Sequence, residues 1–268
     1  PMLPEKLSNQ ICSLVPNEDR LTYSVIVEMT PRGKIIDYII AKTIINSKRR
    51  FTYEEAQKVI DDETGDLADD ILLLNKIAEQ FRKKRMREGS FNFISPEVKF
   101  ILDDNGVPVS ILIKQTKQSN MLIEEFMLLA NKLVAQQIAI PKSGAVKPFV
   151  YRIHDLPDQE KIVEFSLFVK TLGYSFDPNA SSKSIGFQNL LNQVQGKDEE
   201  TLINELAIRS MAKAVYSPDN IGHYGLGFKY YSHFTSPIRR YSDLIVHRLL
   251  FNYKNLKSGE IYSLAQLE

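Results

Sequence analysis

The residue types best suited to chemistry are gathered in one stretch, His233-Phe234-Thr235-Ser236-Pro237-Ile238-Arg239-Arg240-Tyr241. Ser236 suits the capping position of a helix, and Pro237 is pre-set for the first helical position. Ile238, Tyr241, Ile245 and Leu249 then share one apolar face, so the pattern predicts a helix over Pro237–Asn252. Arg239 and Arg240 would sit in its first turn. Cations are disfavoured there by roughly a few tenths of a kcal/mol, because the helix start is already positive. Two guanidinium groups beside free backbone N–H groups make an anion site, and a phosphate matches the guanidinium fork. The competing reading is an ordinary surface helix in which Arg239 pairs with Asp243 at i+4. Local chemistry leaves both open.

Two other places carry chemistry-bearing residues. In MLIEEFMLLANKLV, Glu124, Glu125 and Asn131 interrupt a helix that is otherwise apolar nearly all round and therefore expected to be buried. A buried carboxylate is costly unless paired or functional. Either the glutamates act on a ligand, or one faces solvent while the other pairs with a base. The basic runs Lys48-Arg49-Arg50 and Arg82-Lys83-Lys84-Arg85-Met86-Arg87 are each followed by aromatics, Phe51 and Tyr53 after the first, Phe91 and Phe93 after the second. Cations and rings so interleaved suit single-stranded nucleic acid. They equally suit solvated helix faces. The acidic stretch Asp61 to Asp70 lacks the ligand spacing of a calcium loop and reads as an exposed linker running into a helix.

The elements that must position these residues are readable from period and turn signals. Leu21, Tyr23, Val25, Val27 and Met29 alternate as a strand does. Pro31-Arg32-Gly33 marks a turn, and Ile35 to Ile45 returns. Val98 to Leu102 and Val107 to Ile113 flank Asn105-Gly106, a hairpin signal. Helices are predicted over Leu72–Met86, Met121–Ile140, Gly186–Gln195 and Glu199–Ala214 as well as after Pro237. Early hairpins followed mostly by helices predict an α+β fold, antiparallel hairpins packed with several long helices.

Bulk properties exclude several classes. The sequence has 268 residues, 43% hydrophobic and 25% charged, as in an ordinary globular protein. A net charge of +1 gives no whole-chain sign of a polyanionic partner, so any basic footprint is local. A single cysteine, Cys12, rules out an intrachain disulfide and fits a reducing compartment. No apolar run matches a membrane span and no signal-peptide pattern opens the sequence, so no membrane partner is expected. The opening residue is Pro1 and the last stretch reads as a helix just beginning, so the sequence is expected to be part of a longer one.

Beyond these readings, GHYGLGFKYYSHFTSPIRRYSDLIVHRLL, residues 222–250, resembles the signature of the ribonuclease II/ribonuclease R catalytic (RNB) domain, closest to the bacterial ribonuclease R type. INSKRRFTYEEAQ, FRKKRMREGSFNF and LIEEFMLLAN also resemble family segments, in the family's order, and the likeness extends over almost the whole chain. It implies that residues 1–268 form a single partial catalytic domain, its C-terminal part. It implies a processive hydrolytic 3′→5′ exoribonuclease that releases nucleoside 5′-monophosphates from single-stranded RNA 3′ ends. Arg239 would contact the scissile phosphate, with Arg240 beside it and Ser236 in the same motif binding substrate. Tyr53 and Glu124 would grip the terminal nucleotides, and Phe93 would stack beside their bases. Family members hold Mg²⁺ with four aspartates in a motif like D-x-x-x-x-x-D-x-D-D. That motif is absent here and would be expected before Pro1, together with flanking OB-fold modules. These residues alone would then be inactive. A cytoplasmic, monomeric protein is implied. The alternative is a non-catalytic RNA-binding protein that kept the channel and lost the carboxylates.

Overall fold

The computed structural model describes residues 2–91, 97–114, 116–141, 146–177 and 185–255. Strands β1 (Asp19–Met29) and β2 (Ile35–Asn46) pair antiparallel from Asp19 opposite Asn46 to Val27 opposite Tyr38. Their turn closes where the Gly33 N–H donates to Thr30 O at 2.8 Å. Gly33 has φ +71°, and a Cβ there would stand 3.0 Å from the Phe81 ring. Glycine thus serves both the left-handed backbone and the close approach of the turn to the next helix pair.

Helices α1 (Tyr53–Asp62), α2 (Ala68–Arg87) and α3 (Gln118–Ala139) pack on one another. Helix α1 starts at a reciprocal capping box. Thr52 Oγ1 accepts from the Glu55 N–H, and the Glu55 carboxylate accepts from the Thr52 N–H. Asp69 and Asp70 fall in the first turn of α2 and Lys84, Arg85 and Arg87 in its last, each the favourable sign for the helix dipole. Between α2 and α3 the hairpin β3 (Glu97–Leu102) and β4 (Pro108–Lys114) turns at Asp103–Val107. There Asp103 Oδ1 accepts from the Asn105 and Val107 N–H groups.

The C-terminal half adds β5 (Tyr151–Ile153), α4 (Gln159–Thr171), α5 (Ile185–Val194), α6 (Glu200–Ser210), β6 (Val215–Ser217) and α7 (Tyr241–Asn255). Strands β5 and β6 pair antiparallel. One core gathers Ile162, Phe165, Val169, Phe187, Leu190 and Ile203 from α4, α5 and α6. A second joins α3, β5 and α7 through Val134, Phe149, Tyr151, Val246 and Leu249, with Tyr23 and Val25 of β1 against it. The other face of the first hairpin leaves Ile26 and Ile39 exposed, and Leu21 and Ile44, at the open end of the Tyr23–Val25 face, are exposed as well.

The mixed architecture of antiparallel hairpins and long helices is the one expected, with differences. Helix α6 ends at Ser210, four residues before the predicted Ala214, and the strand Val215–Ser217 follows. Helices α1 and α4 and the β5–β6 pair are additions to the expected elements. Helix α3 is buried along one side only, since Ile123 is 43% exposed. The last helix begins at Tyr241, four residues after the predicted Pro237. No helix among the described residues is long and apolar enough to cross a membrane.

Candidate functional site

The segment before α7 is a tight turn whose geometry is set by one carboxylate. Asp243 is fully buried. Its Oδ2 accepts from the Ser236 backbone N–H at 2.7 Å and from Arg240 Nη2 at 2.9 Å. The N–H groups of Arg239 and Arg240 both donate to Ser236 O, at 3.2 and 3.1 Å. Ser236 therefore opens a turn and does not cap the helix, and Asp243 pairs with Arg240 rather than with Arg239. This corrects two local expectations. Arg240 is the anchored arginine, its side chain 22% exposed. Arg239 is the exposed one, and among the described residues its Nη2 reaches only Ser236 Oγ, at 3.4 Å.

Ser236 and Arg239 line a cavity of about 1180 Å³. Its opposite wall is formed by Ser8 to Leu14 and the start of β1, including Arg20. Arg20 is held there by a 2.9 Å bond from Nε to Ser13 O and a 2.6 Å ion pair with Glu18. Two buried polar atoms beside the turn, Thr235 Oγ1 and Arg240 Nε, have no hydrogen-bond partner among the described residues. Arg240 Nε is a charged donor left unsatisfied, which is costly without a ligand or solvent to accept from it. The bottom of the turn is rigid: His247 Nε2 bonds Phe234 O at 2.8 Å, and Phe234 N–H donates to buried Asn131 Oδ1 at 2.9 Å. Burial lowers the pKa of His247, so its ring is neutral at pH 7.

The glutamates of α3 divide their roles. Glu125 is buried and forms an ion pair with buried Arg85, whose Nη1 also donates to Ser90 Oγ at 2.6 Å. Glu124 is 42% exposed and lies 3.7 Å from the same guanidinium. The pairing alternative thus describes Glu125, while Glu124, only loosely paired, keeps its carboxylate partly exposed to a ligand. Tyr53 is at the start of α1 and 48% exposed. Among the described residues, no hydrogen bond or ion pair joins Tyr53 or Glu124 to the Ser236–Arg240 turn. Phe93 lies outside the described residues. The first basic run is largely committed internally: Arg49 bonds Glu55 at 3.2 Å and Asp66 at 3.0 Å and lies over the Phe51 ring at 4.4 Å.

Among the described residues no three carboxylate, histidine or cysteine side chains converge to hold a metal ion. The donor set of the described residues therefore does not fit Mg²⁺. Sequence reasoning offered a paired glutamate in α3 but not that Arg85 is its partner, and it missed the anchoring role of Asp243. The signal for the second was present, since an acid three residues after an arginine at a helix start can pair with it as readily as one at four.

The RNB-domain model matches residues 1–255. The chain belongs to the RNB-domain family. Among its relatives, ribonuclease R of Aquifex aeolicus is 38% identical over 266 residues, 97% of this chain and 37% of that protein. Ribonuclease R of Thermotoga maritima is 39% identical over 100% of this chain and 38% of that protein. This RNB-domain chain thus spans less than two fifths of the length of these curated relatives. Among solved structures, Mycoplasma genitalium ribonuclease R in complex with ribose-methylated single-stranded RNA gives a TM-score of 0.86 at 28% identity, over 94% of this chain and 40% of that one. Yeast Ssd1, a pseudonuclease, shares the RNB fold with a TM-score of 0.74 at 21% identity, over 96% of this chain and 32% of that one.

Proposed function

We propose that the protein carrying this chain is a hydrolytic 3′→5′ exoribonuclease acting on single-stranded RNA, and that Arg239 contacts the scissile phosphate. The observation that supports this best is the division of labour within the turn. Asp243 anchors Arg240 and the Ser236 backbone, and leaves the Arg239 guanidinium exposed on the wall of a large cavity, with only a long contact to Ser236 Oγ. A guanidinium held by its backbone and free at its tip can meet negative charge that develops on phosphate oxygens during hydrolysis. Arg240 adds a second positive charge, and its unpartnered Nε is a further donor. Ser236 Oγ gives up Arg239 when phosphate takes its place. Glu124 accepts from the ribose 2′-OH, which gives a physical basis for preferring RNA to DNA. Tyr53 and Phe93 hold the terminal nucleotides. The related ribonuclease R structure with single-stranded RNA supports the substrate class for this chain. Magnesium ions belong to the proposal as a family requirement whose ligands the described residues do not supply.

The test uses 5′-labelled RNA and the whole protein. Stepwise shortening from the 3′ end with release of nucleoside 5′-monophosphates, stopped by a chelator and restored by Mg²⁺, is the expected result. Internal cuts or shortening from the 5′ end would contradict it. Tight RNA binding with no release would favour the non-catalytic alternative.

A further inference from the structure

A second concave surface lies away from Arg239. The turn between β1 and β2, the C-terminal half of α2 and the middle of α3 enclose a cavity of about 700 Å³. It shares no lining residue with the cavity at Ser236 and Arg239. Six cations from three elements line it: Arg32, Lys34, Lys83, Lys84, Arg87 and Lys132. Arg85 also lines it but is committed to Glu125. The one other carboxylate in the lining is Glu88.

Intramolecular pairing does not account for this charge. Lys83 and Lys84 reach Glu79 and Glu88 only at 3.7 and 3.8 Å, as exposed pairs along the helix, which stabilise little. Among the described residues the side chains of Arg32, Lys34 and Lys132 have no ion-pair partner. The helix dipole accounts for cations in the last turn of α2. It does not account for Arg32 and Lys34 on a hairpin turn, nor for Lys132 in α3. Lys83 and Arg87 are like charges at i,i+4, an arrangement that opposes folding slightly. Lys132 is half-buried over the Phe228 ring at 4.9 Å, and burial lowers its pKa, with Glu88 opposing the shift and Lys84 adding to it. Glu88 is thus the nearest counter-charge, one carboxylate for the several cations around it. Ile35, Phe81, Leu128 and Leu129 supply apolar walls, and such walls focus the field of charges of one sign. Gly33 fixes the geometry, because its positive φ and its approach to Phe81 press the turn bearing Arg32 and Lys34 onto α2.

We infer that this groove is a second contact for the phosphodiester backbone of RNA, separate from the turn at Ser236–Arg240. The inference rests on the RNA-processing reading above. Cations spread over three elements suit a chain of phosphates better than a single anion. Neutralised phosphates release counterions, so binding in the groove reads out as salt dependence.

The experiment measures the affinity of the whole protein for a 20-nucleotide single-stranded RNA over a range of salt concentrations. The variant Arg32→Glu/Lys34→Glu changes two exposed turn residues. The control Lys161→Glu/Lys170→Glu makes the same charge change at two exposed positions of α4. Thermal melting verifies that each is folded. The expected result is a plot of log K against log salt that is shallower, in the turn variant only, by about 0.7 for each phosphate no longer neutralised. If turn variant and control share the wild-type slope, the groove does not bind RNA. If both are shallower by the same amount, only net charge acts and the groove assignment falls. If the wild-type protein shows no salt-dependent RNA binding, the RNA-processing reading itself fails. Should the double variant not fold, Lys34→Gln with Lys132→Gln gives the same decision.

Discussion

At the scale of single residues, the site depends on which of two neighbours is tied down. Glu125 and Arg240 are committed to partners, and Glu124 and Arg239 beside them are left outward. Adjacent residues on a helix or turn point in different directions, so a pair of like side chains divides naturally into one that builds and one that acts. Glu124→Ala should then leave folding intact while narrowing the preference for RNA over an all-deoxy strand. Cleavage rates on matched RNA and chimaeric oligonucleotides measure this. A preference unchanged from wild type would remove Glu124 from contact with the 2′-OH.

At the scale of elements, the buried Arg85–Glu125 pair fastens α2 to α3 and, through Ser90, to the loop that holds Gly225. Glu125→Ala leaves the buried guanidinium with only Ser90 and the more distant Glu124 carboxylate, and a destabilisation at the lower end of about 3–5 kcal/mol is expected by urea denaturation. A change under about 1 kcal/mol would show that solvent reaches Arg85. Helices α2, α3 and α5 and both long hairpins are legible in the sequence because their periods and turn residues are strong and local. Helix α4 carries legible signals too, although it was not among the expected elements. Asp158 accepts from the Glu160 N–H at its start, and Ile162, Phe165 and Val169 fall on its buried side. The strands β5 and β6 are three residues each, too short for any period to show. The start of α7 differs from expectation for a tertiary reason. Ser236 and Pro237 are good helix-start residues, but the buried Asp243 carboxylate takes the Ser236 N–H and bends 236–240 into a turn. The candidate arginines are legible by type. The anchored one cannot be told from the free one without the fold.

At the scale of the whole molecule, burial holds the histidines neutral. His223 is pushed down to about 3, mainly by burial and secondarily by His154, whose ring lies 5.1 Å away. Its Nδ1 accepts from the Leu226 N–H, which agrees with a neutral ring. An unfolded histidine takes up its proton near pH 6.5. Between that value and about 3 the unfolded chain binds a proton that the folded one refuses. Stability is therefore full above pH 6.5 and falls as pH drops through this window, by up to about 1.4 kcal/mol per pH unit from this group. Urea midpoints at pH 7 and pH 5 should show the decline, and His223→Gln should flatten it. Equal slopes for the two proteins would place the acid sensitivity elsewhere.

The same whole-molecule view ties the cavity, the turn and the RNB-domain membership to one claim, that Arg239 acts on the phosphate being cut. The direct measurement is single-turnover release of nucleotide with the whole protein in saturating excess over RNA, wild type against Arg239→Ala. A rate lower by about 100-fold or more, as for removal of a donor to developing charge, with RNA affinity nearly unchanged, is the predicted result. A normal rate, or a defect confined to affinity, would contradict the assignment.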